Sequence, residues 1–227
     1  MVGPLILAID EGTTNAKAIA VDRSGRVVAR GSQSLTLQHP QPGLAEQDPM
    51  AIWQAVKQAI IQCLSACDGA PVAAVAISNQ RESVLIWQRR DGQPLTPLVS
   101  WQDRRSEAFC RDLHQAGKAP RITGLTGLAV DPMFPAAKLT GMLAAIPDGA
   151  ARAAAGELCI GPVDTRLSWQ LSAGEVVVTD HANAPRTSYY RSLRNILAAA
   201  LLAQSPVLTA ALHIFTSSSS YIVCAVC

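Results

Sequence analysis

A carboxylate, a glycine and two hydroxyls stand together in the run Asp10-Glu11-Gly12-Thr13-Thr14, with Asn15 next and Lys17 two residues beyond. A turn of this composition can present backbone N–H groups and hydroxyls to phosphate oxygens. The Asp10 carboxylate can hold Mg2+, directly or through water, because that ion keeps most of its waters. Lys17 can add a point charge on phosphate. A plain hairpin, with its threonines satisfying turn backbone, would carry the same residues.

Four further runs stand out. In Ser78-Asn79-Gln80-Arg81-Glu82 an apolar stretch ends in five polar residues. Arg81 donates and Glu82 accepts, which suits a polyhydroxylated ligand; the bland reading is a solvated turn with a local ion pair. Leu98-Val99-Ser100 leads into Trp101-Gln102-Asp103-Arg104-Arg105. A Trp there can lay its flat face on the carbon skeleton of a sugar or polyol, or simply fill the core. Asp131-Pro132-Met133-Phe134 precedes a helix bearing Lys138 and reads as its cap, and Gly161-Pro162-Val163-Asp164-Thr165 turns into a helix with Asp164 at the expected N-cap.

These runs need a frame. Residues 5–9 form an apolar run that reads as a buried strand ending at Asp10. Residues 17–21 and 27–37 read as two more strands, hairpin-linked and so antiparallel. Asp48-Pro49 is a helix start, and Trp53, Val56, Ile60, Cys63, Leu64 and Cys67 repeat at helical spacing along one buried face. Residues 71–78 and 84–87 read as buried strands, 106–115 as a helix, and Ala136, Leu139, Leu143 and Ile146 mark another. A short strand or loop at 159–163 and a helix at 164–171 complete an α/β layered domain spanning roughly residues 4–190.

Composition narrows the partners. The chain has 227 residues, 49% hydrophobic and 16% charged, with a formal net charge of +2. That balance gives no basic surface for nucleic acid, and aromatics at 4% are too few for a base-stacking platform. Cys63 and Cys67 fall in the apolar helix face and read as small core residues, so no disulfide framework is implied. No signal-peptide pattern opens the chain, and a reducing cytoplasmic setting is expected.

Taken in order, the motifs resemble the N-terminal domain of the FGGY carbohydrate kinase family, its glycerol kinases above all. The resembling stretches are Asp10-Glu11-Gly12-Thr13-Thr14, Ser78-Asn79-Gln80-Arg81-Glu82, Trp101-Gln102-Asp103-Arg104-Arg105, Asp131-Pro132, Gly161-Pro162-Val163-Asp164-Thr165 and Thr179-Asp180, across residues 4–188. The resemblance implies an actin-like, ribonuclease H-like fold, one of the two domains such kinases close around a cleft. It implies phosphoryl transfer from ATP with Mg2+ to a hydroxyl of a small sugar or polyol, in an intact parent for which oligomerisation stays open. By that resemblance Asp10 supports metal and phosphates, Gly12, Thr13, Thr14, Asn15 and Lys17 line the phosphate turn, and Arg81, Glu82, Trp101 and Met133 fall on the polyol site. Met133 departs from the Tyr of glycerol kinases and puts glycerol itself in question. Asn15 in place of Ser is a milder departure. The family's catalytic base sits in a Gly-Asp-Gln run, which this sequence lacks. A fragment inactive as a kinase is therefore expected, with a non-catalytic polyol-binding or regulatory half-domain as the alternative.

Past Arg194 the sequence has no Asp, Glu, Lys or Arg. The apolar run 195–212 is broken by Gln204, Ser205 and Pro206, so a membrane anchor is not favoured. Residues 189–227 are expected to be an atypical segment, frameshift-derived or disordered, outside the domain.

Overall fold

The computed structural model describes residues 3–188, with the backbone of 190–191 and 196–197. In chain order the strands are β1 (Leu5–Glu11), β2 (Asn15–Val21), β3 (Val27–Ser34), β4 (Glu46–Gln47), β5 (Val72–Asn79), β6 (Leu85–Gln88), β7 (Leu98–Val99) and β8 (Leu158–Gly161), with the short antiparallel pair β9 (Tyr190–Arg191) and β10 (Ile196–Leu197). The helices are α1 (Pro49–Ser65), α2 (Glu107–Gln115), α3 (Ala119–Thr126), α4 (Pro135–Ala144), α5 (Gly149–Ala154) and α6 (Val163–Leu171), followed by a 3-10 turn at Ala184–Thr187. The described residues form two compact units, one from 3–38 and 47–80, the other from 39–46 and 81 onward.

The first unit is a four-stranded mixed sheet ordered β3-β2-β1-β5, antiparallel except where β1 meets β5. Two hairpins account for the antiparallel part, and a parallel partner needs a crossover, which α1 supplies between β3 and β5. Along β1 every second residue, Leu5, Leu7, Ile9 and Glu11, is buried. That is the period of a strand with one covered face. The cover is α1, whose Ala59 and Cys63, with Cys67 just past its end, pack on Leu5, Leu7, Ala18, Ala20 and Ala29. Asp48 caps α1 by accepting from the Met50 N–H at 2.8 Å, with Pro49 behind it, as the sequence suggests. Gly31 on β3 lets the helix come close, since a Cβ there would lie 2.0 Å from the Ala59 carbonyl oxygen.

Two expectations are corrected in this unit. The third strand stops at Ser34 instead of running to residue 37. The strand expected to be buried at 71–78 is exposed from Val72 to Val75, and within β5 only Ile77 is buried. The reason is position: β5 lies at the sheet edge, while α1 packs over β2 and β3.

The second unit is built on β6 paired antiparallel with β8. Its core gathers Val84, Ile86, Val99, Leu139, Met142, Leu143, Ile146, Ala153, Leu158 and Ile160. Leu139, Leu143 and Ile146 are the helix positions expected from the apolar spacing. Helices α3 and α5 leave no apolar repeat in the sequence: they span 8 and 6 residues, too short for a periodic pattern to register. Beside the core, the Arg166 guanidinium sits 5.3 Å from the Trp87 ring and 5.0 Å from the Trp169 ring, with the two indoles edge to face at 6.4 Å.

Asp164 is also corrected. Pro162 holds the N-cap of α6 and Asp164 lies inside the first turn. Its carboxylate instead accepts from the Thr179 hydroxyl at 2.8 Å and the Asp180 N–H at 3.1 Å, tying the helix to the loop that follows it. Burial raises its carboxyl to about 7, with the neighbouring Asp180 charge adding to the rise. A folded-state value above the ordinary 3.8 means that the folded chain keeps a proton the unfolded chain releases. Asp164 thus favours folding at low pH, and this is lost as pH climbs from about 4 through about 7. Asp164→Asn, which has no charge to desolvate, is expected to gain melting temperature on wild type between about pH 5 and about pH 8. Parallel melting curves at both values test this, and an unchanged gap would refute it.

Among the described residues no helix is long and apolar enough to cross a membrane. The run 195–212 and the atypical segment expected at 189–227 lie outside the described residues, apart from the two short strands named above.

Candidate active-site residues

In the first unit, the expected phosphate residues occupy one hairpin. Asp10 is the penultimate residue of β1 and Lys17 stands opposite it on β2, with Nζ 3.8 Å from Oδ2 and both side chains 56% exposed. Between them the Gly12 N–H donates to the Asn15 carbonyl at 2.9 Å and closes the turn. The Asn15 amide donates to the Thr14 hydroxyl at 3.1 Å, and the Leu35 N–H holds the Thr14 carbonyl at 2.8 Å. The turn thus presents a carboxylate, an ammonium and the exposed Thr14 on one edge, while the half-buried Thr13 turns its hydroxyl to Gln80 Oε1 at 3.5 Å.

Sequence reasoning missed what lies beneath it. Glu11 is fully buried, and its Oε1 accepts from Gln80 Nε2 at 2.9 Å. The same Gln80 nitrogen donates to Gln47 Oε1 at 2.8 Å, and Gln47 Nε2 reaches the Thr13 carbonyl at 3.0 Å. Two amides therefore carry the turn on a buried polar bracket. Burial raises the Glu11 carboxyl to about 8, so it is a neutral acid at pH 7. The signal was in the alternation: residue 11 shares the face of 5, 7 and 9, so Glu11 had to point inward.

In the second unit, Val84 and Val99 exchange backbone hydrogen bonds at 3.0 and 2.9 Å. This sets residues 82–83 beside 100–101, and the Trp101 N–H donates to the Ser83 hydroxyl at 3.0 Å. Glu82 is buried in the left-handed backbone region, at φ 63°. The local Arg81–Glu82 pair is not what forms. Arg81 is exposed, and Glu82 takes Arg186, whose guanidinium lies 5.1 Å from the Phe134 ring. Trp101 is not core filler, since it is 38% exposed. Behind it Asp103 is buried and takes the Arg105 guanidinium and the Ala45 N–H, and Arg105 continues to Glu46. Met133 is half-buried, its N–H donating to Asp131 Oδ1 at 2.8 Å.

The arrangement belongs to a known class. The chain matches the family described as FGGY family of carbohydrate kinases, N-terminal domain, over residues 5–195, and it is a member of that family. It is 56% identical over 220 residues to an apulose kinase of Pectobacterium atrosepticum, covering 97% of this chain and 44% of that protein. It is 43% identical over 187 residues to a glycerol kinase of Paracidovorax citrulli, covering 82% of this chain and 37% of that protein. Among solved structures, Plasmodium falciparum glycerol kinase with ADP superposes at a TM-score of 0.83 with 23% identity, over 95% of this chain and 42% of that one. Gluconate kinase from Lactobacillus acidophilus gives 0.79 with 26% identity, over 91% of this chain and 40% of that one. The fold is thus the actin-like, ribonuclease H-like one of these kinases, as the motifs implied. The chain spans less than half the length of the relatives it matches, in keeping with an N-terminal fragment.

Proposed function

We propose that these residues form the N-terminal part of an ATP-dependent kinase that phosphorylates a hydroxyl of a small sugar or polyol. The observation that carries this reading is Glu82, buried in left-handed backbone and held by Arg186. A glutamate kept in so disfavoured a conformation belongs with sites where the strain serves a ligand. Its neighbour Trp101 offers a partly exposed ring for a sugar's carbon face, and exposed Arg81 can donate to hydroxyls. Domain bounds of 4–188 suit this reading.

On the other unit, Gly12, Thr13, Thr14 and Asn15 would receive ATP phosphates, with Lys17 as the counter-charge. Mg2+ commonly uses one or two carboxylates and completes its shell with water and phosphate oxygens. The exposed Asp10 carboxylate fits that demand, and no group of three or more metal-ligating side chains occurs among the described residues. Bound there, the ion would neutralise phosphate charge during transfer. Asp10 would hold its water shell, and the turn would orient the phosphates.

For the substrate, Met133 supplies no hydroxyl, which argues against glycerol. The apulose kinase relative makes apulose the first sugar to test. We place the enzyme in the cytoplasm, where the buried free thiols Cys63, Cys67, Cys110 and Cys159 would stay reduced. The 227 residues alone are expected to bind sugar without turning it over. Calorimetry with apulose, glycerol and pentitols tests the reading. At least one should bind, and Arg81→Ala should weaken it about tenfold, as for loss of one charged hydrogen bond. No binding of any of them would overturn it.

A further inference from the structure

Lys138 is fully buried on α4, although nothing in the proposed chemistry uses it. Its Nζ donates to the Ser100 carbonyl at 2.6 Å and to the Met133 carbonyl at 2.9 Å. Those carbonyls belong to two separate loops. One is followed directly by Trp101, and the other carries Met133 itself. The Trp101 N–H continues the chain of bonds to the Ser83 hydroxyl, next to Glu82. One ammonium therefore stands where three segments bearing candidate sugar-site residues meet. An ammonium is an expensive way to satisfy two carbonyls in a core, since burying it carries a heavy desolvation penalty. Asp103 and Glu82 lower that penalty through their charge, while Arg105 adds to it. What the ammonium provides, and an apolar side chain does not, is a short, directional tie between two loops.

We infer that Lys138 is a positioning residue that fixes the spacing of Trp101 and Met133 across the sugar site. The inference deepens the kinase reading and rests on it for the sugar, but the tie itself can be tested without any ligand. In Lys138→Met, of similar length and without donors, the amides of residues 101–103, 133 and 134 should exchange with solvent at least tenfold faster. Those of β6 and α1 should keep their rates. Apulose, or whichever sugar binds the wild-type chain, should bind the variant at least tenfold more weakly. Lys138→Gln, which keeps donors on a shorter stem, should fall between the two in both readouts.

Unchanged exchange in either loop would overturn the inference, as would sugar affinity equal to wild type. Loosening spread evenly over the chain, or failure of both variants to fold, would make Lys138 a general stability residue and overturn it as well. If the wild-type chain binds no sugar, the kinase reading falls, and the exchange pattern still decides whether Lys138 ties the two loops.

Discussion

Gly31→Ala is expected to lower the melting temperature by about 6–12 °C, the largest stability effect of any single methyl group in the first unit. The added Cβ would meet the Ala59 carbonyl oxygen at 2.0 Å, and at 2.9 Å the Cys63 backbone nitrogen. These are backbone atoms of α1, so no side chain can rotate away. Either the helix or β3 must move. Moving the helix opens gaps around Ala59 and Cys63, which the short side chains of Ala18, Ala20 and Ala29 cannot reach out to fill. Overpacking of this kind costs about 1–3 kcal/mol and sometimes more, and a clash with helix backbone belongs at the upper end. Gly25, whose Cβ would meet nothing within 4 Å but whose φ is +82°, is the comparison: Gly25→Ala should lose only about 1 kcal/mol, through backbone strain. Thermal melts of the two variants check the argument. Equal losses would show that the α1–β3 approach is not tight.

Glu82 governs the largest effect on binding. Glu82→Ala should weaken sugar binding at least a hundredfold, because it removes the buried acceptor and frees Arg186 from its partner at the same time. A second substitution separates site from strain. Glu82→Gly loses the same carboxylate but accepts φ 63° without penalty, a relief of about 1 kcal/mol. The glycine variant should therefore melt above the alanine variant while binding sugar no better. Glu82→Gln, which keeps an acceptor but no charge, should bind more tightly than either. If the glycine variant melted below the alanine variant, the strain argument would fail. If all three bound sugar like wild type, Glu82 would not belong to the site.

Much of this was legible in the sequence, for reasons that differ by element. The hairpin of β1 and β2 announced itself through two apolar runs and the polar, Gly12-bearing turn between them. Helix α1 was bounded by Asp48-Pro49 and filled by a periodic apolar face. The family was legible because Asn79-Gln80-Arg81-Glu82 and Trp101-Gln102-Asp103-Arg104-Arg105 combine rare residue types in a fixed order. What was not legible depended on contacts distant in sequence. Arg81 beside Glu82 suggested a local pair, and only the fold brings Arg186 from 104 positions away. The exposure of Val72 and Val75 could not be read from an apolar run, since an edge strand and a central one share that pattern. Asp164 looked like a cap because it opens a helix, but its acceptors were claimed by Thr179 and Asp180. Lys138 appeared only as a residue on a helix, because the carbonyls it binds have no sequence signature.

The tryptophans are apportioned unequally between the two units, and that has an optical consequence. The first unit contains Trp53 alone, with the Lys57 ammonium 5.6 Å from its ring. The second contains Trp87, Trp101 and Trp169, and Trp87 and Trp169 lie 6.4 Å apart at an interplanar angle of 66° with a guanidinium against both. Two indoles so close and so inclined couple their transitions. The second unit should therefore dominate the near-ultraviolet circular dichroism, leaving the first almost silent. Loss of that signal would report the second unit's unfolding, while far-ultraviolet ellipticity follows both, so one sample in one cuvette can tell whether the halves melt together.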